Sequence, residues 1–234
     1  MIKSLSAYKA VFFDAGDTLI TVPNDRRIFN EFLHKRLFYR EDKQVGQLLQ
    51  EAIRLFYANK RMRADAVSSP EIDRTFWMDI YTYTLRRLGA EEQWSAEVIN
   101  DCSYDLYDEF SNPAHYELFS DVTQNLERIR TLGLRMGVIS NFSPSLRDIL
   151  QEKNILSFFD PVIISTEVGI EKPNPDIFKL ALKRSGLDAS EVLYVGDHEW
   201  NDVWAPGQVG VDAIRIKRYD YHTGEGITSL AELI

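Results

Sequence analysis

The pattern of apolar and polar positions changes character along the chain. A short apolar, aromatic run predicts a buried strand from Lys9 to Asp14, where it stops at an acid. From about Asp25 to Phe110, apolar residues recur only at helical spacing, with clear helix starts at Ser69-Pro70-Glu71 and at Ser95. Four amphipathic helices with short connections predict a small helical bundle.

After His115 the chain alternates between short apolar runs and amphipathic segments. The predicted elements are a helix at Asp121–Leu132, a strand at Arg135–Ser140, a helix from Ser143 to Glu152, a strand at Pro161–Ser165, a helix at Pro175–Arg184, a strand at Glu191–Gly196, a short helix from Asp202 to Val209, a strand at Asp212–Ile216 and a short helix at Ser229–Leu233. This alternation predicts a parallel sheet with helices on both faces.

The strand that ends at Asp14 has the same buried character and is expected to join that sheet. The helical segment is therefore an insertion into an α/β fold. The predicted division is a sheet-containing core over residues 1–21 and 116–234 and a helical domain over residues 22–115.

Composition and charge narrow the class of protein. Of 234 residues, 44% are apolar and 27% are charged, which is typical of a soluble globular chain. A formal charge of −9 argues against nucleic acid or an anionic membrane as the main partner. The single cysteine, Cys102, excludes an intrachain disulfide framework, and its place in an apolar helical stripe predicts a buried structural thiol. No signal-peptide pattern or membrane-length apolar run is present, so a cytoplasmic enzyme or binding protein is expected. No pattern indicates an oligomeric state.

Polar residues at the predicted strand ends carry the candidate chemistry. They are Asp14, Ser140-Asn141, Lys172-Pro173, and Gly196-Asp197 followed by Asp202. Because the carboxyl ends of parallel strands meet at one edge of a sheet, these side chains can converge. Acids supply the hard oxygen ligands that Mg²⁺ prefers, and a hydroxyl can donate a hydrogen bond to a phosphate oxygen. A lysine can balance the charge that develops during transfer, and Asp14 can attack phosphorus to form an aspartyl-phosphate.

These four motifs, in this order, resemble the haloacid dehalogenase (HAD) superfamily, in its branch with a helical cap. The part from Ile139 to about Ile216 is similar to the rhythmically-expressed-gene-type hydrolase-domain proteins of that superfamily. The resemblance implies a Rossmann-like core, a mobile helical cap over the site, a Mg²⁺ cofactor and phosphatase activity on a small phosphorylated metabolite.

The resemblance also assigns roles to individual residues. It implies that Asp14 is the nucleophile and a metal ligand, that Ser140 binds the phosphate and that Asn141 contacts the substrate. Lys172 is implied as the charge stabiliser. The further implied metal ligands are Asp197 and the Gly16 carbonyl, with Asp202 as an acid near the metal or Lys172.

Gly16 departs from the family pattern. Most phosphatases of the family have a second Asp there, whereas this chain reads Asp-Ala-Gly-Asp-Thr. Gly16 keeps the backbone carbonyl and lacks the general acid, a contribution typically worth about 10²–10⁴-fold in rate. The loss matters most for alkoxide leaving groups, whereas phenolic or acyl groups need less help. Asp17 stands one residue further along and is expected to have a structural role in the turn, such as an Asx bond to the backbone.

Three classes of function compete. The leading one is a Mg²⁺-dependent phosphomonoester hydrolase. The second is a 2-haloacid dehalogenase in which Asp14 attacks carbon. Halide leaves without a proton, so this reaction needs no acid at position 16. Asp197 nevertheless favours phosphoryl chemistry, because dehalogenases of the family typically lack that acid. A phosphonate hydrolase would need a Schiff-base lysine from the cap, a role that the sequence does not assign to Lys60. The third is a weakly active or non-catalytic member that binds a phosphorylated ligand or a protein.

Overall fold

A computed structural model describes residues 3–60 and 67–234, without the side chains of residues 59 and 60, so the Lys60 side chain lies outside it. Within the described residues, the chain forms two compact units. The first comprises residues 3–21, 67–69 and 116–234, and the second comprises residues 22–60 and 70–115. Residues 67–69, which lie inside the predicted insertion, group with the first unit.

The strands all belong to the first unit. They are Ala10–Phe13 (β1), Ile20–Thr21 (β2), Glu117–Leu118 (β3), Arg135–Ser140 (β4), Val162–Ile164 (β5), Val192–Gly196 (β6) and Asp212–Arg215 (β7). Five of them form a parallel sheet in the order β5-β4-β1-β6-β7, in which Val11 of β1 pairs with Met136 and with Leu193. The predicted α/β class with a parallel, Rossmann-like sheet is confirmed.

The helices divide between the two units. They are Asp25–His34 (α1), Asp42–Lys60 (α2), Pro70–Arg87 (α3), Ala96–Phe110 (α4), Val122–Thr131 (α5), Leu146–Glu152 (α6), Ser165–Val168 (α7), Asp176–Ser185 (α8) and Ala205–Gly207 (α9). Short 3₁₀ helices lie at Leu5–Ala7, Ala90–Glu92, Pro113–His115, Leu156–Phe158, Ala189–Glu191 and Leu230–Leu233. No helix within residues 3–60 and 67–234 is long and apolar enough to cross a membrane.

Both faces of the sheet are covered by apolar side chains. Val11 and Phe13 of β1 pack on one face with residues of α5 and α6, whereas Ala10 and Phe12 pack on the other with residues of α8. Alternate residues of a strand point to opposite faces, so burial of both faces requires a continuous apolar run. This explains why β1 reads as uninterrupted hydrophobic sequence, and it places the end of the strand at Asp14.

The second unit contains α1 to α4 and has its own apolar core. Its fully buried large side chains include Phe29, Leu33, Phe38, Ile80, Leu85 and Ile99. Cys102 is buried in the same core, as expected, and burial raises the pKa of its thiol. Pro70 is the first residue of α3, and the Ser95 side chain accepts the Val98 N–H at the start of α4, as the helix-start patterns predict.

The sequence prediction missed the short helix α7, the π-helical segment and the strand pair β2 and β3. In place of a helix from Asp202, a π-helical segment at Glu199–Trp204 runs into α9. Pro206 has no N–H and therefore cannot donate to the carbonyl oxygen of Asp202, four residues earlier. The antiparallel pair β2 and β3 was not predicted, because two-residue strands are too short to show a periodic pattern.

Candidate active site

The residues singled out from the sequence lie at the carboxyl edge of the sheet. Asp14 directly follows β1, Ser140 ends β4, and Asp197 directly follows β6. Lys172 lies between α7 and α8, and Asp202 lies in the π-helical segment. Hydrogen bonds and ion pairs join Asp14, Ser140, Lys172 and Asp202 directly, so four separate stretches of sequence meet at one point.

The Asp14 carboxylate is oriented through one of its oxygens. Ser140 Oγ donates to Asp14 Oδ1 at 2.9 Å, and Lys172 Nζ donates to the same oxygen at 2.7 Å. No donor among the described residues contacts Asp14 Oδ2. Burial raises the pKa of Asp14, and the Lys172 ammonium opposes that shift. The side chain is 9% exposed, and its two donors hold the carboxylate in one orientation.

Lys172 is the only described cation that contacts Asp14. Its side chain is 2% exposed, and Nζ donates to Asp14 Oδ1 at 2.7 Å, Asp202 Oδ1 at 2.6 Å and the Tyr194 hydroxyl at 2.9 Å. An ammonium has three donors, so all of them are used. Burial alone would lower the pKa of Lys172, but the two carboxylates raise it above its ordinary value. Lys172 therefore stays charged inside the site.

Tyr194 belongs to this cluster and was not predicted from the sequence. Its hydroxyl accepts from Lys172, donates to the Ile139 carbonyl oxygen at 2.8 Å and lies 3.2 Å from Asp202 Oδ1. Burial first, and then the Asp202 charge, raises the pKa of Tyr194 well above its usual value, so the phenol stays protonated. One signal in the sequence could have identified it, namely a single hydroxyl inside the otherwise aliphatic strand Val192–Gly196.

Asn141 contacts the backbone of Lys172 through both ends of its amide. Nδ2 donates to the Lys172 carbonyl oxygen at 2.7 Å, and the Lys172 N–H donates to Oδ1 at 2.7 Å. This reciprocal pair positions the residue that carries the ammonium. The predicted contact between Asn141 and a substrate stays a prediction.

Three acids form a candidate metal site. Carboxylate oxygens of Asp14, Asp197 and Asp202 lie within 4.8 Å of one another. Asp202 Oδ2 accepts the His198 N–H at 2.9 Å, whereas no donor among the described residues contacts the Asp197 carboxylate. Burial, followed by the charges of Asp202 and Asp14, raises the pKa of Asp197 well above its ordinary value. One lysine cannot balance three acids, and a divalent cation with oxygen preference fits this donor set.

Gly196 allows Asp202 to approach the end of β6. A Cβ built at Gly196 would lie 2.4 Å from Asp202 Cγ, which no real contact permits. The glycine before Asp197 is therefore a requirement of the site geometry, since any side chain there would displace Asp202 from Lys172.

A profile described as haloacid dehalogenase-like hydrolase matches residues 8–210. The chain belongs to the haloacid dehalogenase-like hydrolase family. This match confirms the resemblance inferred from the four motifs, and the chain is called a HAD hydrolase below.

Relatives and solved structures agree with this assignment. Haloacid dehalogenase-like hydrolase domain-containing protein 3 of Danio rerio is 31% identical over 221 residues, covering 90% of this chain and 85% of that protein. Glyceraldehyde 3-phosphate phosphatase of Methanopyrus kandleri is 27% identical over 224 residues, covering 93% of this chain and 87% of that protein. The structure of the HAD hydrolase YfnB from Bacillus subtilis, bound to magnesium, has a TM-score of 0.69 at 15% identity, covering 97% of this chain and 96% of that chain. At that identity the likeness establishes the fold alone.

Position 16 of this HAD hydrolase has room for a side chain. A Cβ at Gly16 would meet Phe142 Cε2 at 4.0 Å, an ordinary van der Waals contact, and its backbone is outside the left-handed region.

Asp17 has a φ of 52° and accepts a hydrogen bond from the Tyr219 hydroxyl at 2.6 Å. The sequence suggested a structural role for Asp17 in the turn, and the observed partner is a side chain about 200 residues away.

We expect Tyr194→Phe to lower the free energy of unfolding of the HAD hydrolase by about 1–3 kcal/mol, because the Ile139 carbonyl and Lys172 each lose a buried partner. Chemical denaturation measures the change. Tyr39→Phe is the matched control, since that tyrosine is exposed and its loss of a hydroxyl should stay within about 0.5 kcal/mol. Equal unfolding free energies for the two variants would show that the Tyr194 hydroxyl contributes nothing.

Proposed function

We propose that this HAD hydrolase is a Mg²⁺-dependent phosphatase that acts on a small phosphorylated metabolite through an aspartyl-phosphate on Asp14. The observation that carries the proposal is the clustering of Asp14, Asp197 and Asp202, with Lys172 and Ser140 donating to the Asp14 carboxylate. A relative that spans most of the chain is named as a phosphatase of glyceraldehyde 3-phosphate, which favours a small phosphate ester as substrate.

In the proposed reaction, an Asp14 carboxylate oxygen attacks phosphorus. The new oxygen–phosphorus bond forms as the bond to the leaving oxygen breaks, and the leaving group departs with the electron pair. Because Gly16 has no side chain, that oxygen takes its proton from solvent or leaves as a stable anion. Water then attacks the aspartyl-phosphate, which releases inorganic phosphate and restores the carboxylate.

In this proposal, the two donors that orient Asp14 act on the phosphoryl group. Lys172 Nζ lies 2.7 Å from Asp14 Oδ1 and remains charged, so it can stabilise negative charge on the transferring oxygens. Ser140 Oγ lies 2.9 Å from the same atom and can donate to a phosphoryl oxygen instead. Tyr194 and Asp202 fix the Lys172 ammonium through their own contacts with it.

Asp14, Asp197 and Asp202 would hold the Mg²⁺, with the Gly16 carbonyl as the further ligand that the family implies. The bound cation supplies positive charge that lets a phosphate anion approach a carboxylate. Burial, and then the charges of Asp202 and Asp14, raise the pKa of Asp197, and the closeness of these three acids supports a cation there.

A substrate panel tests the proposal against its alternatives. The purified chain is assayed with p-nitrophenyl phosphate, glyceraldehyde 3-phosphate and 2-chloropropionate, each with Mg²⁺ and with EDTA. Phosphate release that requires Mg²⁺ is the expected result. Halide release without metal would replace the proposal with a dehalogenase, an alternative that Gly16 favours because halide needs no proton. Tight binding of a metal fluoride without any turnover would indicate a non-catalytic member.

We expect Gly16→Asp to raise kcat/KM on alkyl phosphates by up to about 10²-fold and on aryl phosphates by much less, because it restores a proton donor near the leaving oxygen. The open space at position 16 permits the substitution. Steady-state kinetics on a matched alkyl and aryl pair measure the difference.

Gly207→Asp is the control for that variant, since position 207 is exposed and has open space for a Cβ. It adds the same charge to the chain outside the site and should leave both rates unchanged. Equal gains on the two substrates, or none, would mean that the absent acid does not limit turnover.

A further inference from the structure

We infer that Arg218 and Tyr219 are positioning residues that fix the turn after β1 for the reaction on Asp14. The inference rests on the proposed function for its kinetic consequence only. The turn comprises residues 15–20 and is called the β1 turn below. Neither residue belongs to the four motifs, and both contact the β1 turn from about 200 positions away in the sequence.

The β1 turn needs support from outside. The Ala15 carbonyl oxygen accepts N–H groups from Leu19 at 2.9 Å and from Ile20 at 3.0 Å, and the Asp17 N–H donates to the Ile20 carbonyl oxygen at 2.8 Å. Asp17 has a left-handed backbone with a φ of 52°, which is unfavourable for a residue other than glycine. Such a conformation persists only where neighbouring groups determine it.

Arg218 binds the backbone of this turn. Nε and Nη2 both donate to the Thr18 carbonyl oxygen, at 3.0 and 2.7 Å, and the side chain is only 4% exposed. Nη1 donates to both carboxylate oxygens of Asp121, at 2.8 and 3.0 Å. The guanidinium also lies 4.4 Å from the centre of the Phe119 ring. The cation is therefore locked in one orientation, with one edge toward the turn.

Asp121, the ion-pair partner of Arg218, is itself held in place by other contacts. Its Oδ2 accepts from Ser229 Oγ at 2.9 Å and from the Leu230 N–H at 2.7 Å. Burial would raise the pKa of Asp121, but Arg218 and the Leu230 N–H hold it below its usual value. The carboxylate therefore stays charged opposite the guanidinium.

Tyr219 contacts one side chain within the β1 turn and one directly after it. Its hydroxyl donates to Asp17 Oδ1 at 2.6 Å and lies 2.7 Å from Thr21 Oγ1. The ring stacks on Tyr221, with centroids 5.1 Å apart and planes at 9°. Two consecutive residues thus contact the backbone carbonyl of Thr18 and the carboxylate of Asp17, four and three residues after Asp14.

This arrangement favours a positional role over a purely stabilising one. A buried ion pair contributes little net stability compared with apolar side chains of similar volume, so the Arg218–Asp121 pair is weak evidence for a purely stabilising role. A misplacement of a reacting group by about 1 Å can cost about 10²-fold in rate. Contacts this close to Asp14 are placed to prevent such a displacement.

The test uses Arg218→Lys and Tyr219→Phe in the full chain, with Arg135→Lys as control. Arg135 donates to the Ser185 carbonyl from the start of β4, at the opposite edge of the sheet. Hydrogen exchange of peptides covering the β1 turn should become about tenfold faster in both variants, while peptides from β4 stay unchanged. With an aryl phosphate, kcat should fall on the order of 10²-fold for Arg218→Lys, with KM nearly unchanged.

The outcomes separate the inference from the proposed function. Unchanged exchange in the β1 turn, or a lower melting temperature with unchanged kcat, would overturn the positioning role. If the wild-type chain shows no turnover of any phosphate ester, the proposed function fails, and exchange in the β1 turn still decides whether Arg218 and Tyr219 fix it. If Arg135→Lys leaves both kcat and the exchange of the β1 turn unchanged, the effects in Arg218→Lys come from its contacts with the turn. They do not come from the loss of a guanidinium in general.

Discussion

Asp14→Asn should abolish Mg²⁺-dependent phosphate release from every ester that the wild-type chain hydrolyses, with a loss on the order of 10⁶-fold, as for removal of other catalytic nucleophiles. The amide has nearly the same shape as the carboxylate but cannot form the aspartyl-phosphate, and it removes one of three acids from the candidate metal site. An aryl phosphate is the best substrate for this assay, because its hydrolysis depends least on a general acid. The wild-type rate is then highest, and the largest loss of rate can be measured.

Asp176→Asn is the matched control for that variant. Asp176 is in the first turn of α8, where it pairs with Lys179 at 2.7 Å in an exposed ion pair. The same chemical change at this position should leave the rate unaltered, since exposed ion pairs contribute little. Circular dichroism on both variants establishes that the fold is intact. Residual Mg²⁺-dependent turnover in Asp14→Asn within about tenfold of the wild-type rate would exclude Asp14 as the nucleophile.

The elements that carry the site could be predicted because their patterns are local. The run before Asp14 is continuously apolar, since β1 is the central strand and both of its faces are covered. Together with the alternation of strands and helices after His115, that burial predicts a parallel sheet. In such a sheet the carboxyl ends of the strands meet at one edge. The convergence of Asp14, Ser140, Lys172 and Asp202 follows from this topology and needed no side-chain information.

The contacts that refine the site could not be predicted, because each joins residues far apart in sequence. The lone hydroxyl in β6 singles out Tyr194, but only the structure shows that Lys172 is its partner. The contacts of the Asn141 amide with the Lys172 backbone join two stretches of sequence about 30 residues apart. Arg218 reads as one of many surface cations until its burial against Asp121 is known. Side-chain identity alone does not reveal such partners.

The π-helical segment shows a second limit of sequence patterns. Its residues have the periodicity of an ordinary helix start, and the acid at Asp202 reads equally as a capping group. The wider turn instead places Asp202 against Lys172 at 2.6 Å and against the His198 N–H at 2.9 Å. This position of Asp202 also requires a residue without a side chain at Gly196, where a Cβ would collide with Asp202.

Lys172→Met should reduce activity by on the order of 10³-fold and lower the free energy of unfolding in the absence of metal by about 3–5 kcal/mol. The variant keeps the length of the side chain and removes the charge, so Asp14 and Asp202 lose the cation that contacts both of them. Tyr194 loses its donor as well. Chemical denaturation in EDTA and steady-state kinetics in Mg²⁺ measure the two effects separately.

The same variant also tests the acidic cluster, because Mg²⁺ should stabilise Lys172→Met more than it stabilises the wild-type chain. With the ammonium gone, a cation bound by Asp14, Asp197 and Asp202 becomes the main compensation for three neighbouring negative charges. Lys179→Met, which removes an exposed lysine from α8, should change neither the unfolding free energy nor the response to Mg²⁺ beyond about 0.5 kcal/mol. An identical Mg²⁺ response in Lys172→Met and wild type would mean that these acids do not form the metal site, even if activity is lost.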